Sequence, residues 1–322
     1  MSAERAAPVT VAARPAADEV TEGVRNILQV LQSRGLTVDT NVARAAAIQA
    51  VVATIDPRAR MFPAAEKSAM ADEERGGTNS MRRKPVEIVE KLPGEICYLK
   101  LGGLYRGTGQ ETVQGILAAT NGGATGMILD LRGAGGHGYD AVASLAGLFV
   151  EENSLIYSIR SRNGIETEQG RAGKGWHLGM PAMFLIDKGT TCASELLVAI
   201  VKGGFEVLVV GRATGGDSLV REDVELEGGD ILYVGTKRVI PLQGASYDPG
   251  GVEPDIVVQA ADPVTVVSGT NATLQSEEKL SDKDRDDSGT AFAKRVAGDS
   301  ILQRALDILM GLRTLDARAL KL

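Results

Sequence analysis

Ala182-Met183-Phe184-Leu185-Ile186-Asp187-Lys188-Gly189-Thr190-Thr191-Cys192-Ala193-Ser194-Glu195-Leu196-Leu197-Val198-Ala199-Ile200-Val201 is the stretch that decides the fold. Its first five residues form a short apolar run of strand type, and a tight polar turn follows. The apolar run after the turn predicts a helix over 194–201. Strand, turn and helix in this order put the turn residue at a helix N-terminus. Unpaired N–H groups and the helix dipole favour negative charge there. Such a position stabilises a nucleophile or the oxyanion it creates, and the residue that holds it is Cys192.

The same alternation repeats on both sides. Ile96 to Leu101 reads as a strand, and Gln110 to Ala119 as a helix with Thr108 as its cap. Gly126 to Leu131 is a nearly all-apolar strand of the kind buried on both faces. A helix over Tyr139 to Val150 and strands over Leu155 to Arg160 and Val207 to Val210 follow the pattern. Val220 to Leu226 and Ile231 to Ile240, joined at Glu227-Gly228-Gly229-Asp230, read as a hairpin, and Val252 to Val258 as a closing strand. Buried strands alternating with helices predict an α/β layered core.

Five segments organise the chain: a disordered leader or export-signal remnant over 1–17, helices over 18–69, a charged linker over 70–85, the core over 86–260, and a linker with a final helix over 261–322. Val20, Val24, Ile27, Leu28 and Leu31 recur at helical spacing before Gly35, and a second helix runs from Val42 to Ile55 before Asp56-Pro57, so an α-hairpin is expected. Ile301, Ala305, Ile308 and Leu309 predict the final helix, and the mixed charges from Ser276 to Ser288 read as a solvated linker.

Composition narrows the function. Of 322 residues 43% are hydrophobic and 24% charged, which suits a globular protein that can bury a large core. A net charge of −7 without a basic stripe argues against nucleic acid. Cys97 and Cys192 cannot make a disulfide framework, and neither they nor His137 and His177 fall in metal-ligand spacing, so no metal or cofactor is expected. No apolar run reaches transmembrane length, and the first residues lack the apolar core of a signal peptide.

Several segments together resemble the C-terminal-processing, or tail-specific, peptidases of serine peptidase family S41. Ile128-Leu129-Asp130-Leu131-Arg132-Gly133-Ala134-Gly135-Gly136 is similar to that family's glycine loop, and Cys192-Ala193-Ser194-Glu195 to its SASE nucleophile turn. Val209-Val210-Gly211-Arg212-Ala213-Thr214-Gly215-Gly216 is similar to its VVGE-T-x-G segment, and Gly251-Val252-Glu253-Pro254-Asp255 to its G-[IV]-E-P-D signature. Ile55-Asp56-Pro57-Arg58-Ala59-Arg60 resembles its LDP-x-S-R element. The resemblance implies a crotonase/ClpP-like core. Only about thirty residues separate Ile55 from Val86, too few for the family's PDZ module, so a PDZ-less member is expected.

The resemblance also implies site roles. Gly135 or Gly136 and Ala193 would supply the backbone oxyanion donors, although the loop is one residue short and has Ala134 where Asn is common. Cys192 stands at the serine position, Asp217 at the lysine position and Arg221 at the glutamine position. A carboxylate near pKa ~3.9 is a poor base for a thiol near ~8.5, and the transfer is uphill by roughly 6 kcal/mol. Asp217 is therefore expected to pair with Arg221 instead. His137 follows the glycine loop directly and is the alternative base, at an intrinsic cost of ~3 kcal/mol. Glu195 is expected to support the turn or the helix dipole, and Asp130 and Arg132 to position the strand end.

Three functions follow. The first is a peptide-binding homologue that has lost the Ser-Lys apparatus, the second a cysteine peptidase using Cys192 with His137, the third a crotonase-like enzyme whose glycine loop stabilises an enolate. The partners implied are peptide or protein C-terminal segments, with self-association left open. The resemblance implies an exported protein.

Overall fold

The structure, a computed structural model, describes residues 17–63, 85–175, 178–202, 207–242, 247–259 and 298–319. The expected leader, most of the linker over 70–85, Trp176, His177 and the Ser276 to Ser288 linker lie outside the described residues. The chain divides into two units, one taking the residues up to Ala64 with Glu222–Gly235, the other taking the rest.

In the first unit, helices α1 (Ala17–Ser33) and α2 (Thr40–Ala53) are followed by strand β1 (Arg60–Pro63). Asp39 caps α2 by accepting from the N–H groups of Asn41 and Val42. The fully buried carboxylate of Asp56 ties the unit together, accepting from the Arg58 N–H at 3.0 Å and the Gly235 N–H at 2.9 Å. β1 pairs antiparallel with the start of β10 (Asp230–Pro241).

The second unit is built on a six-stranded sheet. β2 (Val86–Leu92), β3 (Ile96–Leu101), β4 (Gly126–Asp130), β7 (Ala182–Ile186), β8 (Val207–Gly211) and β11 (Ile256–Val257) stand in the order β11-β8-β7-β4-β3-β2. All pairings are parallel except β2 with β3. Alternation along each strand divides the side chains between two cores. Leu99, Leu129, Phe184 and Val209 face one core, completed by α3 (Gly109–Thr120), α4 (Tyr139–Ala146) and α5 (Cys192–Val201). Tyr98, Ile128, Met183, Leu185 and Val210 face the other, covered by Ile301, Leu302, Ala305, Leu306 and Leu309 of α6 (Ser300–Ala319). Doubly covered strands are why 126–131 and 182–186 read as unbroken apolar runs. β5 (Leu155–Ser161) pairs antiparallel with β6 (Glu166–Arg171) and with the end of β10, and β9 (Leu219–Glu225) pairs with β10.

The differences from the sequence reading have local causes. α4 stops at Ala146, short of Val150, because the Ala143 carbonyl that would accept from Gly147 accepts the Gly173 N–H at 2.7 Å. Thr108 makes no side-chain cap; its hydroxyl donates to the Tyr105 carbonyl. The expected strand over 252–258 shrinks to Ile256–Val257, since the Val252 N–H goes to the Thr214 hydroxyl at 2.6 Å and Pro254 has no N–H to give. β1, β2 and β6 carried no sequence assignment; β6, Glu-Thr-Glu-Gln-Gly-Arg, has no apolar face to reveal it.

Candidate functional site

The β7–α5 turn puts Cys192 at the first residue of α5 with φ +52°, in the left-handed region. Among the described residues only Glu95 and Asn153 share this with it outside glycine. A cysteine gains nothing there that glycine would not, so the backbone stores strain of about 1–3 kcal/mol.

Three sequence-predicted side chains come together. The Cys192 thiol lies 3.5 Å from Asp217 Oδ2 and donates to it. Arg221 grips the same carboxylate with Nη1 to Oδ2 at 2.9 Å and Nη2 to Oδ1 at 3.2 Å. All three are buried: Cys192 is 4% exposed, and the pair's side chains are 4% and 7% exposed. The ion pair expected from the four-residue spacing therefore forms, and its acid accepts the hydrogen bond of the thiol. A thiolate would sit against a carboxylate at this range, a repulsion of about 5 kcal/mol at an effective dielectric near 20.

Glu195 holds the segment that carries Asp217. Its fully buried carboxylate accepts from the Thr214 hydroxyl, from the Gly216 N–H at 2.7 Å and from the Asp217 N–H at 2.9 Å. Burial pushes its pKa up while these three bonds pull it down, and burial wins. Glu195 thus clamps a loop across the site, a more specific task than the expected support of the dipole. Gly216 (φ +74°) is required as glycine, because a Cβ would strike the Pro249 carbonyl.

The glycine loop packs against the start of α5 by its carbonyls. The Thr191 N–H donates to Ala134 O and the Ala193 N–H to Gly136 O, both at 3.0 Å, and the Ser194 hydroxyl donates to Gly135 O at 2.9 Å. The Ala193 N–H is therefore spent inside the protein. Gly136 (φ +100°) fits only without a side chain, since a Cβ would run into Leu104 O. His137 is half-buried in the next position, between Gly136 and Gly138, whose N–H donates to Leu104 O. Asp130 and Arg132 act at the strand end: Asp130 accepts from Tyr98 Oη at 2.8 Å and from Arg132, and Arg132 reaches Asp299 at the start of α6. Burial works against the Arg132 charge, but hydrogen bonds to the two acids more than offset it and keep the guanidinium charged.

Tyr139 and Tyr247 were not singled out in the sequence. Both are buried, and neither hydroxyl has a hydrogen-bond partner among the described residues. Burial pushes both phenols well up, with added repulsion from Cys192 and Asp217, so both remain neutral O–H groups. The only sequence signal was position: Tyr139 opens the helix after the glycine loop, and Tyr247 opens the Asp248-Pro249-Gly250-Gly251 turn. A cleft of about 160 Å³ is lined by Ser218, Arg238 to Pro241, Tyr247 and Asp248. Among the described residues no group of His, Cys, Asp or Glu is arranged to hold a metal ion.

Comparison with known proteins gives this geometry a context. Residues 95–258 match the family model described as peptidase family S41. The chain is 26% identical over 183 residues to the chloroplastic C-terminal processing peptidase of Tetradesmus obliquus, covering 57% of this chain and 39% of that protein. It is 25% identical over 180 residues to the carboxy-terminal processing protease CtpA of Bacillus subtilis, covering 55% and 38%. Each match spans less than half of the relative. A solved lipoprotein from Streptococcus agalactiae shares the fold at a TM-score of 0.53 and 16% identity, over 75% of this chain and 83% of that one.

Proposed function

Because the chain belongs to peptidase family S41, we propose that it binds peptide segments, C-terminal ones above all, on a crotonase/ClpP-like core without hydrolysing them. One observation carries this reading: the thiol in the nucleophile's seat is hydrogen-bonded to an acid, Asp217, whose two carboxylate oxygens Arg221 also grips. In the family's resemblance Asp217 and Arg221 stand at the lysine and glutamine positions, so a carboxylate, by its ordinary pKa a far weaker base than lysine, stands where the family's base would. The loop carbonyls support the same reading. An oxyanion needs a free N–H at Ala193, and that N–H is bound to Gly136 O. The site keeps the strained seat and the loop clamped across it, a preorganised frame from which the base is gone.

A second reading, a cysteine peptidase with His137 as base, draws on the half-buried place of His137 on the loop docked at α5. The test is cleavage and binding of a fluorescent unstructured peptide by the wild type, Cys192→Ala and His137→Ala. Binding without cleavage by all three is expected. Cleavage by the wild type that is lost in both variants overturns the binding role in favour of the peptidase. A CoA thioester found by mass spectrometry on the purified protein would favour a crotonase-like enzyme instead.

A further inference from the structure

The buried cluster at Cys192 holds more hydrogen-bond donors than its acids can accept. A carboxylate offers about four lone-pair sites, and those of Asp217 are taken. Its Oδ1 accepts from the Leu219 N–H and from Arg221 Nη2, both at 3.2 Å. Its Oδ2 accepts from Arg221 Nη1 at 2.9 Å and from the Cys192 thiol at 3.5 Å. Glu195, the other buried acid here, already receives the Thr214 hydroxyl and the N–H groups of Gly216 and Asp217. Two donors are left over. Tyr139 and Tyr247 are 8% and 2% exposed, and neither hydroxyl has a hydrogen-bond partner among the described residues. Both phenols lie within electrostatic reach of Cys192 and Asp217, and Tyr139 within reach of Tyr247. Tyr139 is braced where it stands: its carbonyl accepts from Tyr157 Oη at 3.2 Å, and the two rings pack with centroids 6.1 Å apart. An unpaired buried hydroxyl costs stability, so two of them in one cluster call for an acceptor from outside the fold.

We propose that the Tyr139 and Tyr247 hydroxyls donate to backbone carbonyl oxygens of a bound peptide, in place of the Ala193 N–H that is bonded to Gly136 O. The inference rests on the peptide-binding reading above and names the groups that make the contact. The accounting of donors selects a carbonyl. A water would bring two protons of its own, and the acids beside it are already occupied. A carboxylate or other anion would face Asp217 and be repelled. A peptide carbonyl is neutral and only accepts. Tyr247 also lines the cleft of about 160 Å³ together with Ser218 and Asp248, so a chain lying in that cleft meets the cluster at this residue.

Two measurements on the full chain test it: urea unfolding without peptide, and equilibrium binding of a fluorescent unstructured peptide, each for the wild type, Tyr139→Phe and Tyr247→Phe. These substitutions remove only the hydroxyl. Both variants are expected to unfold at a urea concentration no lower than the wild type, since each loses an unpaired buried group. Both should bind the peptide about three- to tenfold more weakly, the effect of one lost hydrogen bond. A variant that unfolds at lower urea, or does not fold, overturns the proposal, because its hydroxyl then has a partner in the free protein, an internal water included. Variants that bind as tightly as the wild type overturn it as well, and leave the peptide-binding reading standing. A wild type that binds no peptide overturns both.

Discussion

At Cys192 the backbone and the side chain carry opposite messages. The left-handed φ of +52° is a strained backbone for a cysteine, while the thiol donates its hydrogen bond to Asp217. The strained seat belongs to the turn, and the reactivity belongs to the neighbours, so one can persist while the other is lost. Replacing the acid should separate them. In Asp217→Asn the repulsion on a thiolate disappears and Arg221 is left facing the sulfur, so Cys192 alkylation at pH 8 should rise at least tenfold, with its pH midpoint displaced downward. An unchanged alkylation profile in the folded variant would show that Asp217 does not control the thiol. The four-residue spacing of Asp217 and Arg221 is legible in the chain, but not that the carboxylate faces the sulfur, because Cys192 and Asp217 lie on different elements brought together by Glu195.

Among the elements, legibility followed burial. β7 is legible in the sequence at both ends because α4 and α5 cover one face and α6 the other, leaving only apolar residues. β6 was invisible because an edge strand with one buried residue has no pattern. The final helix was legible from Ile301, Ala305 and Leu309, whereas the surface it covers was not, since nothing local marks Tyr98, Met183 and Leu185 as its partners. That docking should be a large contribution. Leu302 is fully buried, so Leu302→Ala should cost about 2–5 kcal/mol in urea unfolding. Met310→Ala, at a side chain 46% exposed on the same helix, should stay within about 0.5 kcal/mol. Equal effects at both positions would mean that α6 does not pack as described.

For the whole molecule, the charge network Asp130–Arg132–Asp299 links the end of the central sheet to the start of α6, and it should appear in the pH dependence of stability. Burial tends to raise the Asp299 pKa, but the Arg132 hydrogen bonds and the Leu302 N–H overcome it and hold the carboxyl below its usual value. A lowered folded-state pKa contributes stability that is present above the unfolded value and lost as pH falls through the folded one. Glu195, with its raised pKa, works in the opposite sense: its contribution is present in acid and lost as pH rises through the folded value. The difference between wild type and Asp299→Asn isolates the first effect: the advantage of the wild type should be largest near neutrality and shrink in acid. A constant difference across that range would show that Asp299 is not held by Arg132. By itself the sequence determined the layered α/β core, the family and the unusual cysteine, because periodicity and short motifs are local and survive in a single chain. Only the tertiary structure decided what surrounds the cysteine. The direction of a carboxylate and the loss of the Ala193 N–H to a loop carbonyl both depend on contacts between residues far apart in sequence, where spacing carries no information.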